Sequence, residues 1–303
     1  MAINAYNIKK WYLMLTGQSV LHVNQDLGRC FSKDQLRGYY NNLTEKVTMQ
    51  PELLESDKLP VFETKDNEAV LFPVAIFQYG LGAYDLYLET NDKRYYTKFI
   101  QCAEWAAAHI QPDGAWNTFF CLYPQHPYGA MAQGEGASLL LRAYSETKEQ
   151  VCLENAKRAI DFMLTPIEKG GTTAYNSNDV ILLEYTHLPA VMNGWIFAWW
   201  GLYDYVLVTH DNGHYKELME RSCRSLIKYL PAFTKSYWSM YSLSGQFASP
   251  FYHHLHIAQM QAMYQLTGYD IFNKYVVRWQ KDEQNPLHRL HAFCIKAWQK
   301  VRE

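Results

Sequence analysis

The apolar residues of this chain recur with the period of helices, and the helices that they predict come in pairs. Segments 99–110, 152–163 and 219–230 each carry apolar residues at positions i, i+4, i+7, i+8 and i+11. That spacing is typical of an amphipathic helix with one buried face. A helix of another kind precedes each of them, and the clearest, 192–206, is apolar nearly all round. The pattern therefore predicts outer helices with one buried face and inner helices that are buried on all sides.

The inner segments repeat one plan four times along the chain, and each repeat reaches a threonine. The four threonines are Thr90, Thr147, Thr209 and Thr267. They lie 57, 62 and 58 residues apart, and a short polar break and an outer helix follow each of them. Four inner and outer pairs, with further helices near both termini, predict a mainly α fold, an α/α toroid. The N-terminal ends of its inner helices would converge on one mouth of the ring.

The start of the chain is less regular than the remainder. Residues 1–65 include a polar stretch with Pro51 and Pro60, and we predict an N-terminal arm packed on the toroid. Residues 66–303 form the catalytic toroid in this prediction, and the chain is a single structural domain overall. A few short strands are expected, in 237–243, where aromatic, apolar and small polar residues alternate, and in 172–184.

The composition excludes some classes of function. The chain has 303 residues and a net charge of −2, whereas a general nucleic-acid binder carries a basic excess. The six cysteines form no C-x-x-C pair, and scattered single cysteines suit a reducing compartment. No signal peptide is evident, and no segment reaches the about 18 apolar residues of a membrane span. We therefore expect a cytoplasmic protein with no membrane span and no nucleic-acid partner.

Polar side chains collect in three segments between the predicted helices, 112–116, 183–187 and 252–256. All three lie near the N-terminal ends of inner helices, so they should meet at one mouth of the ring. Loops at the mouth of a rigid scaffold commonly carry catalysis. His253 and His256 lie at i and i+3, but no carboxylate or cysteine of matching spacing accompanies them. We therefore predict no metal site.

Several ordered motifs within 131–279 together point to a known family. The motifs are Met131-Ala132-Gln133-Gly134 with Arg142-Ala143-Tyr144, Glu184-Tyr185, Asn193-Gly194 with Gly201-Leu202-Tyr203-Asp204, Tyr241, Tyr252-His253, and His256-Ile257 with Gln259. This segment resembles the C-terminal helical domain of the D-glucuronyl C5-epimerases of heparan-type polysaccharides. The resemblance implies an isomerase that converts D-glucuronosyl to L-iduronosyl residues, as in heparosan. It also implies an acidic polysaccharide or oligosaccharide substrate, and it allows a homodimer, since helical relatives dimerise.

The family resemblance also assigns catalytic residues, and the chemistry explains why they are needed. By resemblance they are Glu184, Tyr185, Tyr241 and Tyr252. The C5 hydrogen of a uronate is α to a carboxylate, so its removal adds charge to a group that is already negative. A catalyst must neutralise that carboxylate and place a base on one face of the sugar and an acid on the other. Glu184 or Tyr185 would take the proton, Tyr252 or Tyr241 would return one, and no cofactor is required.

Six further residues are predicted to bind the substrate. They are Tyr79, Trp116, Gln133, Asn193, His253 and His256. Tyr79 and Trp116 would stack on neighbouring sugars, because aromatic rings offer flat apolar faces. The other four would orient the uronate through hydrogen bonds.

One departure from the family and three alternatives accompany this prediction. Three residues after the tyrosine that matches Tyr241, the family usually has an arginine that binds substrate, and this chain has Ser244. A non-catalytic protein that binds a uronate polymer is therefore one alternative. A polysaccharide lyase, the second, would form the same C5 carbanion and then expel the O4 substituent. A glycoside hydrolase, the third, would pair Glu184 with Asp113 or Glu135.

Overall fold

The alternation of inner and outer helices is present in the structure, a computed structural model that describes residues 13, 18–64 and 66–302. The longer helices begin at α2, after the short helix α1. The helices are α1 (Thr44–Thr48), α2 (Pro73–Thr90), α3 (Lys93–His109), α4 (Ala130–Thr147), α5 (Gln150–Leu164), α6 (Met192–Thr209), α7 (His214–Tyr229), α8 (Pro250–Thr267), α9 (Asp270–Gln284) and α10 (Pro286–Arg302). The inner helices are α2, α4, α6 and α8, and an outer helix follows each.

All four inner helices end at the threonine that the repeat predicted. Each threonine hydroxyl donates to the carbonyl four residues before it, at 2.6–2.9 Å. The next residue adopts the left-handed conformation, with φ of 58° at Asn91, 63° at Lys148, 54° at His210 and 71° at Gly268. That conformation turns the chain out of the helix and lets its N–H bond to a carbonyl of the last turn. The four repeated threonines therefore mark the C-terminal ends of the four inner helices.

The inner helices pack closely because two of them carry glycine at their crossing. A Cβ at Gly201 of α6 would lie 2.3 Å from the carbonyl oxygen of Gly134 in α4. A Cβ at Gly134 would lie 2.5 Å from the Cα of Ala198. No side chain fits between two backbones at such distances. The outer helices instead bury one stripe each, as the periodicity predicted.

Three antiparallel hairpins join the helices in the described part of the chain. They pair β1 (Phe62–Glu63) with β2 (Ala69–Val70), β3 (Thr173–Asn176) with β4 (Asp179–Leu182), and β5 (Thr234–Lys235) with β6 (Trp238–Ser239). The hairpin predicted in 172–184 is confirmed, with Thr173 opposite Leu182. The strand predicted over 237–243 is shorter in the structure. Only β6 forms there, and it pairs with the two-residue strand β5 that precedes it. Beyond β6, isolated bridges join Met240 to Phe247 and Ser242 to Val191.

The described part of the N-terminal arm is anchored to the ring through a buried ion pair. Arg142 of α4 and Asp204 of α6 are fully buried, and Arg142 Nη1 lies 2.6 Å from Asp204 Oδ2. Arg142 also donates to the carbonyl of Gly38 in the arm at 2.7 Å, and the Tyr40 hydroxyl donates to Asp204. The division of the chain at residue 65 stays a prediction. Residues 1–12, 14–17 and 65 of the predicted arm lie outside the described residues.

We predict that Asp204→Ala lowers the free energy of unfolding by about 3–5 kcal/mol, because it leaves the buried Arg142 guanidinium without its counter-ion. Urea denaturation followed by circular dichroism measures the change. Glu220→Ala is the matched control, since it breaks an exposed pair with Arg224 at 3.7 Å. The control should change stability by at most about 1 kcal/mol. A loss at position 204 no larger than at position 220 would contradict the role given to the buried pair.

None of the helices in the described part of the chain combines the length and the apolar character that crossing a membrane requires.

Candidate active site

The four residues predicted to be catalytic lie side by side at the mouth of the ring. The phenol of Tyr185 lies beside the Glu184 carboxyl and lowers its pKa. Tyr241 lies next to Tyr185 on one side and next to Tyr252 on the other, close enough for their side chains to interact. The rings of Tyr241 and Tyr252 meet edge to face, with centroids 4.8 Å apart. We call these four residues the glutamate–tyrosine row. The structure brings them together, and their catalytic roles stay a prediction.

Three segments that are far apart in sequence form the row. Glu184 and Tyr185 follow β4, Tyr241 follows β6, and Tyr252 lies in the first turn of α8. The N–H of Met192, the first residue of α6, donates to the Tyr241 carbonyl at 3.1 Å. The loop that carries Tyr241 is thereby held against the start of α6, beside the Glu184 segment.

Glu184 is seated between the N-terminal ends of α4 and α6. A Cβ at Gly194 would lie 2.3 Å from Glu184 Oε2, and a Cβ at Gly129 would lie 2.1 Å from the Glu184 carbonyl oxygen. Both positions require glycine for this reason. The N–H of Ala130, which opens α4, donates to the Leu183 carbonyl at 2.8 Å. The backbone of the Glu184 segment is thereby held at the start of α4, and its carboxyl lies against the first turn of α6.

Glu184 is the member of the row that titrates near neutral pH. It is 6% exposed, and this burial raises the pKa of its carboxyl to about 7, against the lowering effect of the Tyr185 phenol. Among the described residues, Oε2 has no hydrogen-bond partner. Burial also raises the pKa of all three phenols above their usual value of 10.0. At neutral pH the row therefore combines a carboxyl near its midpoint with three protonated phenols.

A second buried carboxyl lies deeper in the ring. Glu135 of α4 is fully buried and accepts a hydrogen bond from the Gln78 amide at 2.8 Å. Burial raises the pKa of Glu135 to about 8, the Gln78 bond and Lys46 lower it, and the charge of Glu184 raises it further. Asp113, the other predicted partner of Glu184, is exposed. Of the two, Glu135 is the carboxyl that the structure brings within electrostatic reach of Glu184.

His253 does not face the site, although the sequence analysis placed it among the substrate-binding residues. It is fully buried and stacks on Trp238, with ring centroids 3.7 Å apart. Its Nδ1 accepts from the N–H of Ser239 at 3.2 Å, so Nε2 carries the proton and donates to the Trp279 carbonyl at 3.3 Å. Burial lowers the pKa of His253 to about 4, and the ring is neutral. Its role is to hold β6 against α9.

His256 lies nearer to the row. Its ring centroid is 6.5 Å from that of Tyr252, and its Nδ1 lies 2.9 Å from the Ser239 hydroxyl. Burial lowers its pKa well below 6.5, so it is neutral. Its Nε2 is buried without a hydrogen-bond partner in the described part of the chain. Within that part, no group of three or more histidine, cysteine, aspartate or glutamate side chains could hold a metal ion.

Asn193 and Gln133 differ in what their amides do. Asn193, at the start of α6, is buried, and its Oδ1 has no partner among the residues that the structure describes. Its role in orienting a uronate stays a prediction. Gln133 donates to the Gly114 carbonyl and accepts from the Trp116 N–H, both at 3.1 Å, in the amide orientation that satisfies both groups. Gln133 therefore holds a loop and has no amide group left to orient a uronate.

Tyr79 and Trp116 lie in the core, which corrects the expectation that they stack on sugars. Each is 1% exposed. The indole N–H of Trp116 donates to the Ala106 carbonyl at 3.0 Å, and its ring packs on Phe77 with centroids 4.9 Å apart. Stacking on a sugar requires an open ring face, and burial leaves neither residue one.

Comparison with known proteins decides the family. Residues 113–281, more than half of the chain, match the family model described as D-glucuronyl C5-epimerase C-terminus. The chain belongs to this family. The resemblance predicted from the motifs in 131–279 is thereby confirmed.

Two curated relatives match the chain over about half its length or slightly more. An uncharacterized protein of Methanocaldococcus jannaschii is 31% identical over 159 residues, which are 50% of this chain and 51% of that protein. A D-glucuronyl C5-epimerase of Caenorhabditis elegans is 23% identical over 209 residues, which are 60% of this chain and 34% of that protein. The chain thus spans about half the length of the first relative and about a third of the second.

Two solved structures share the fold. A UGL variant with the saccharide dGlcA-Glc-Rha-Glc has a TM-score of 0.53 and 9% identity, covering 93% of this chain and 84% of that chain. An inactive variant of an α-1,6-mannanase of Salegentibacter sp. HEL1_6, in complex with α-1,6-mannotetrose, has a TM-score of 0.50 and 14% identity. It covers 82% of this chain and 79% of that chain. The predicted α/α toroid is confirmed.

The departure from the family at position 244 has a clear structural setting. Ser244 is exposed, in the loop just beyond Tyr241, and its hydroxyl lies 2.6 Å from that of Ser242. This position offers a hydroxyl where the family usually offers a guanidinium.

An exposed strip of rings runs outward from Tyr185, and the sequence analysis did not identify it. The ring of Tyr123 lies 5.6 Å from that of Tyr185 and 4.9 Å from that of His187, and His187 stacks on His126 at 4.2 Å. We call Tyr123, His126 and His187 the aromatic strip. His187 falls in the segment 183–187 that the sequence analysis selected. Tyr123 and His126 lie in an irregular loop where no periodicity marks a side chain as exposed.

Proposed function

We propose that this chain is a C5-epimerase that converts D-glucuronosyl to L-iduronosyl residues of an acidic polysaccharide. The glutamate–tyrosine row is the observation that carries the proposal. It combines one carboxyl with a pKa of about 7 and three protonated phenols in a continuous series of neighbouring side chains at the mouth of the toroid. Membership of the D-glucuronyl C5-epimerase C-terminus family supports the same chemistry.

Glu184 is suited to remove the proton. A general base works best when its pKa lies near the operating pH, and that of Glu184 is about 7. In this step the C5–H bond breaks, the proton moves to the Glu184 carboxylate, and the electron pair of the bond passes into the uronate carboxylate as an enediolate. Oε2 of Glu184 is buried against Gly194, and no described residue donates a hydrogen bond to it, so no donor competes for its lone pairs.

Tyr252 is suited to return a proton from the opposite face, because it stands at the far end of the row from Glu184. The phenol O–H bond breaks, the proton adds to C5, and a phenolate remains at Tyr252. The inverted configuration at C5 is that of iduronate. Tyr241, its neighbour in the row, lowers the pKa of Tyr252 and so stabilises the charge that develops there.

The row also resets the site after each turnover. Inversion leaves a proton on Glu184 and a negative charge on Tyr252. Proton shifts from Glu184 to Tyr185, from Tyr185 to Tyr241 and from Tyr241 to Tyr252 restore the starting state. Each shift runs between two side chains that are neighbours in the row. The proton removed from one sugar face can thus reach the acid on the other face without leaving the site.

The aromatic strip supports a polymer as the substrate. Its three rings are exposed and begin at Tyr185, so they extend the site along the surface by several ring widths. Flat apolar faces of this kind suit the sugars on either side of a reacting uronate.

Incubation with heparosan in heavy water, followed by NMR, tests the proposal. We expect iduronate signals and deuterium at C5. An unsaturated product that absorbs ultraviolet light would identify a lyase, and new reducing ends would identify a hydrolase that uses Glu184 with Glu135. Binding of the polymer with no isotope exchange would identify a non-catalytic uronate-binding protein. Any of these three results would overturn the proposed function.

The activity should depend on pH through Glu184. Since the base form of a carboxyl exists above its pKa, kcat/KM should rise about tenfold per pH unit below about pH 7 and level off above it. The phenols stay protonated through this range because their pKa values are raised. Release of tritium from C5-labelled heparosan between pH 5 and about pH 9 measures the profile. A rate that is flat or falls across neutral pH would show that Glu184 is not the base.

A further inference from the structure

The last helix of the chain packs on the loop that carries Tyr241. Helix α10 follows the segment 113–281 that matches the family. Its Ala292 belongs to a buried cluster with four residues of that loop: Trp238, Met240, Phe247 and Ala248. Gln299, two turns further on, accepts from the Phe247 N–H at 2.9 Å and donates to the Gly245 carbonyl at 3.1 Å. These contacts hold one face of α10 against the 238–248 loop.

Lys296 lies on that same face. It follows Ala292 by four residues and precedes Gln299 by three, and these spacings put side chains on one side of a helix. Its Nζ lies over the ring of Tyr241, 5.4 Å from the centroid. The side chain is half-buried. An ammonium group therefore stands beside the central tyrosine of the row, delivered from outside the segment that the family model covers.

We infer that Lys296 binds the carboxylate of the reacting uronate and supplies the positive charge that the family usually places at position 244. The inference rests on the proposed function of the glutamate–tyrosine row as the reaction site. Removal of the C5 proton concentrates charge on the uronate carboxylate, and a cation beside it stabilises that state. Ser244 carries no charge, and its hydroxyl is hydrogen-bonded to that of Ser242. Position 244 belongs to the 238–248 loop, and α10 packs on the same loop with Lys296 Nζ over its Tyr241. In this inference a cation at either position serves the same carboxylate.

The chemistry of lysine fits this task. Its ammonium is a compact charge on a flexible stem with three donors, so it can leave the ring face for a carboxylate while the helix stays in place. The two histidines nearby, His253 and His256, are buried and neutral and cannot supply the charge.

A binding measurement tests the inference without requiring turnover. The chain is titrated calorimetrically with hexasaccharides from heparosan, chondroitin and hyaluronan, and the tightest is carried forward with its carboxyl-reduced form. Lys296→Met, which keeps the stem and removes the charge, should weaken binding of the acidic form about thirtyfold. It should leave binding of the carboxyl-reduced form unchanged. Lys296→Arg should bind within a few-fold of the parent.

Two variants control the experiment. Lys274→Met removes the same charge from an exposed position on α9 and should bind as the parent does. Ser244→Arg, added to Lys296→Met, returns the cation to the family position. This double variant should bind the acidic form at least tenfold more tightly than Lys296→Met alone. Circular dichroism confirms that each variant is folded, and Lys296→Gln replaces Lys296→Met if that variant is not.

Three results would overturn the inference. These are failure of the parent to bind any of the three hexasaccharides, binding by Lys296→Met within threefold of the parent, and an equal loss of affinity for the acidic and the carboxyl-reduced forms. An equal loss would mean that Lys296 has a packing role. Since these titrations measure affinity, a chain that binds through Lys296 but exchanges no hydrogen would refute the proposed epimerase and leave the carboxylate site standing.

Discussion

Replacing Glu184 with glutamine is expected to lower the rate of C5 exchange by about a thousandfold, because it removes the base and leaves the shape of the site intact. Glutamine has the size of glutamate, and it keeps a carbonyl oxygen beside Tyr185. Both isotope exchange into glucuronate and formation of iduronate should be lost together, since both require removal of the C5 proton. NMR of heparosan incubated in heavy water measures the two signals in one experiment.

The same substitution is expected to make the folded protein more stable at pH 8. Burial raises the pKa of Glu184 from 4.5 to about 7, so the folded state disfavours the ionised carboxyl. Between these two pH values the unfolded chain ionises and the folded chain does not, and stability falls as pH rises. Glutamine removes this penalty, which amounts to up to about 3 kcal/mol at pH 8 and vanishes below about pH 4.5. Urea denaturation at pH 8 and at pH 4.5 separates the two conditions.

Loss of activity together with a gain of stability is the mark of a residue that is kept for function. Glu217→Gln, on the exposed surface of α7, is the matched control and should change neither quantity measurably. Exchange by Glu184→Gln at more than about a tenth of the parent rate, a barrier change of roughly 1.4 kcal/mol, would exclude Glu184 as the base.

Replacing Tyr252 with phenylalanine is expected to separate exchange from inversion. Glu184 can still remove the C5 proton and return a deuteron to the same face, so deuterium should enter glucuronate at a rate within about tenfold of the parent. Formation of iduronate needs an acid on the opposite face and should fall about a hundredfold or more. The ratio of deuterated glucuronate to iduronate in the same NMR spectrum measures the effect.

Tyr264→Phe is the control for this substitution, because Tyr264 lies on the same helix, three turns beyond Tyr252. It should leave both rates unchanged. Equal loss of exchange and inversion in Tyr252→Phe would assign Tyr252 to the removal of the proton instead. If inversion survived at the parent rate, Tyr241 would be the acid, and Tyr241→Phe should then show the separation.

The helical plan could be predicted in detail because its signals are local. The recurring threonines ended four inner helices at the expected residue, since the hydroxyl bond to the preceding turn and the left-handed residue after it depend on adjacent positions alone. Stripes of apolar residues likewise identified the outer helices. The strand expected over 237–243 was shorter, because its pairing partner, β5, has only two residues and no alternating pattern of its own.

Predictions of substrate-binding residues fared less evenly. Tyr79 and Trp116 carry rings that suit both sugars and cores, and the residue type contains no information on which of the two surrounds it. Gln133 and His253 lie within family motifs, yet their polar atoms are used up by a loop and by a neighbouring helix. A family motif identifies residues that are important to the protein. A residue can be important for packing as well as for contact with a ligand, and the motif does not say which.

By itself the sequence determined the toroid, the family and the four residues of the row, because helix periodicity, helix ends and short motifs are written in neighbouring positions. Only the tertiary structure decided that these four side chains lie side by side in one row, since Glu184, Tyr241 and Tyr252 come from three separate segments. It alone placed Lys296 over Tyr241 and Tyr123 beside Tyr185. Contacts across such distances along the chain depend on how whole helices pack, and no local pattern records them.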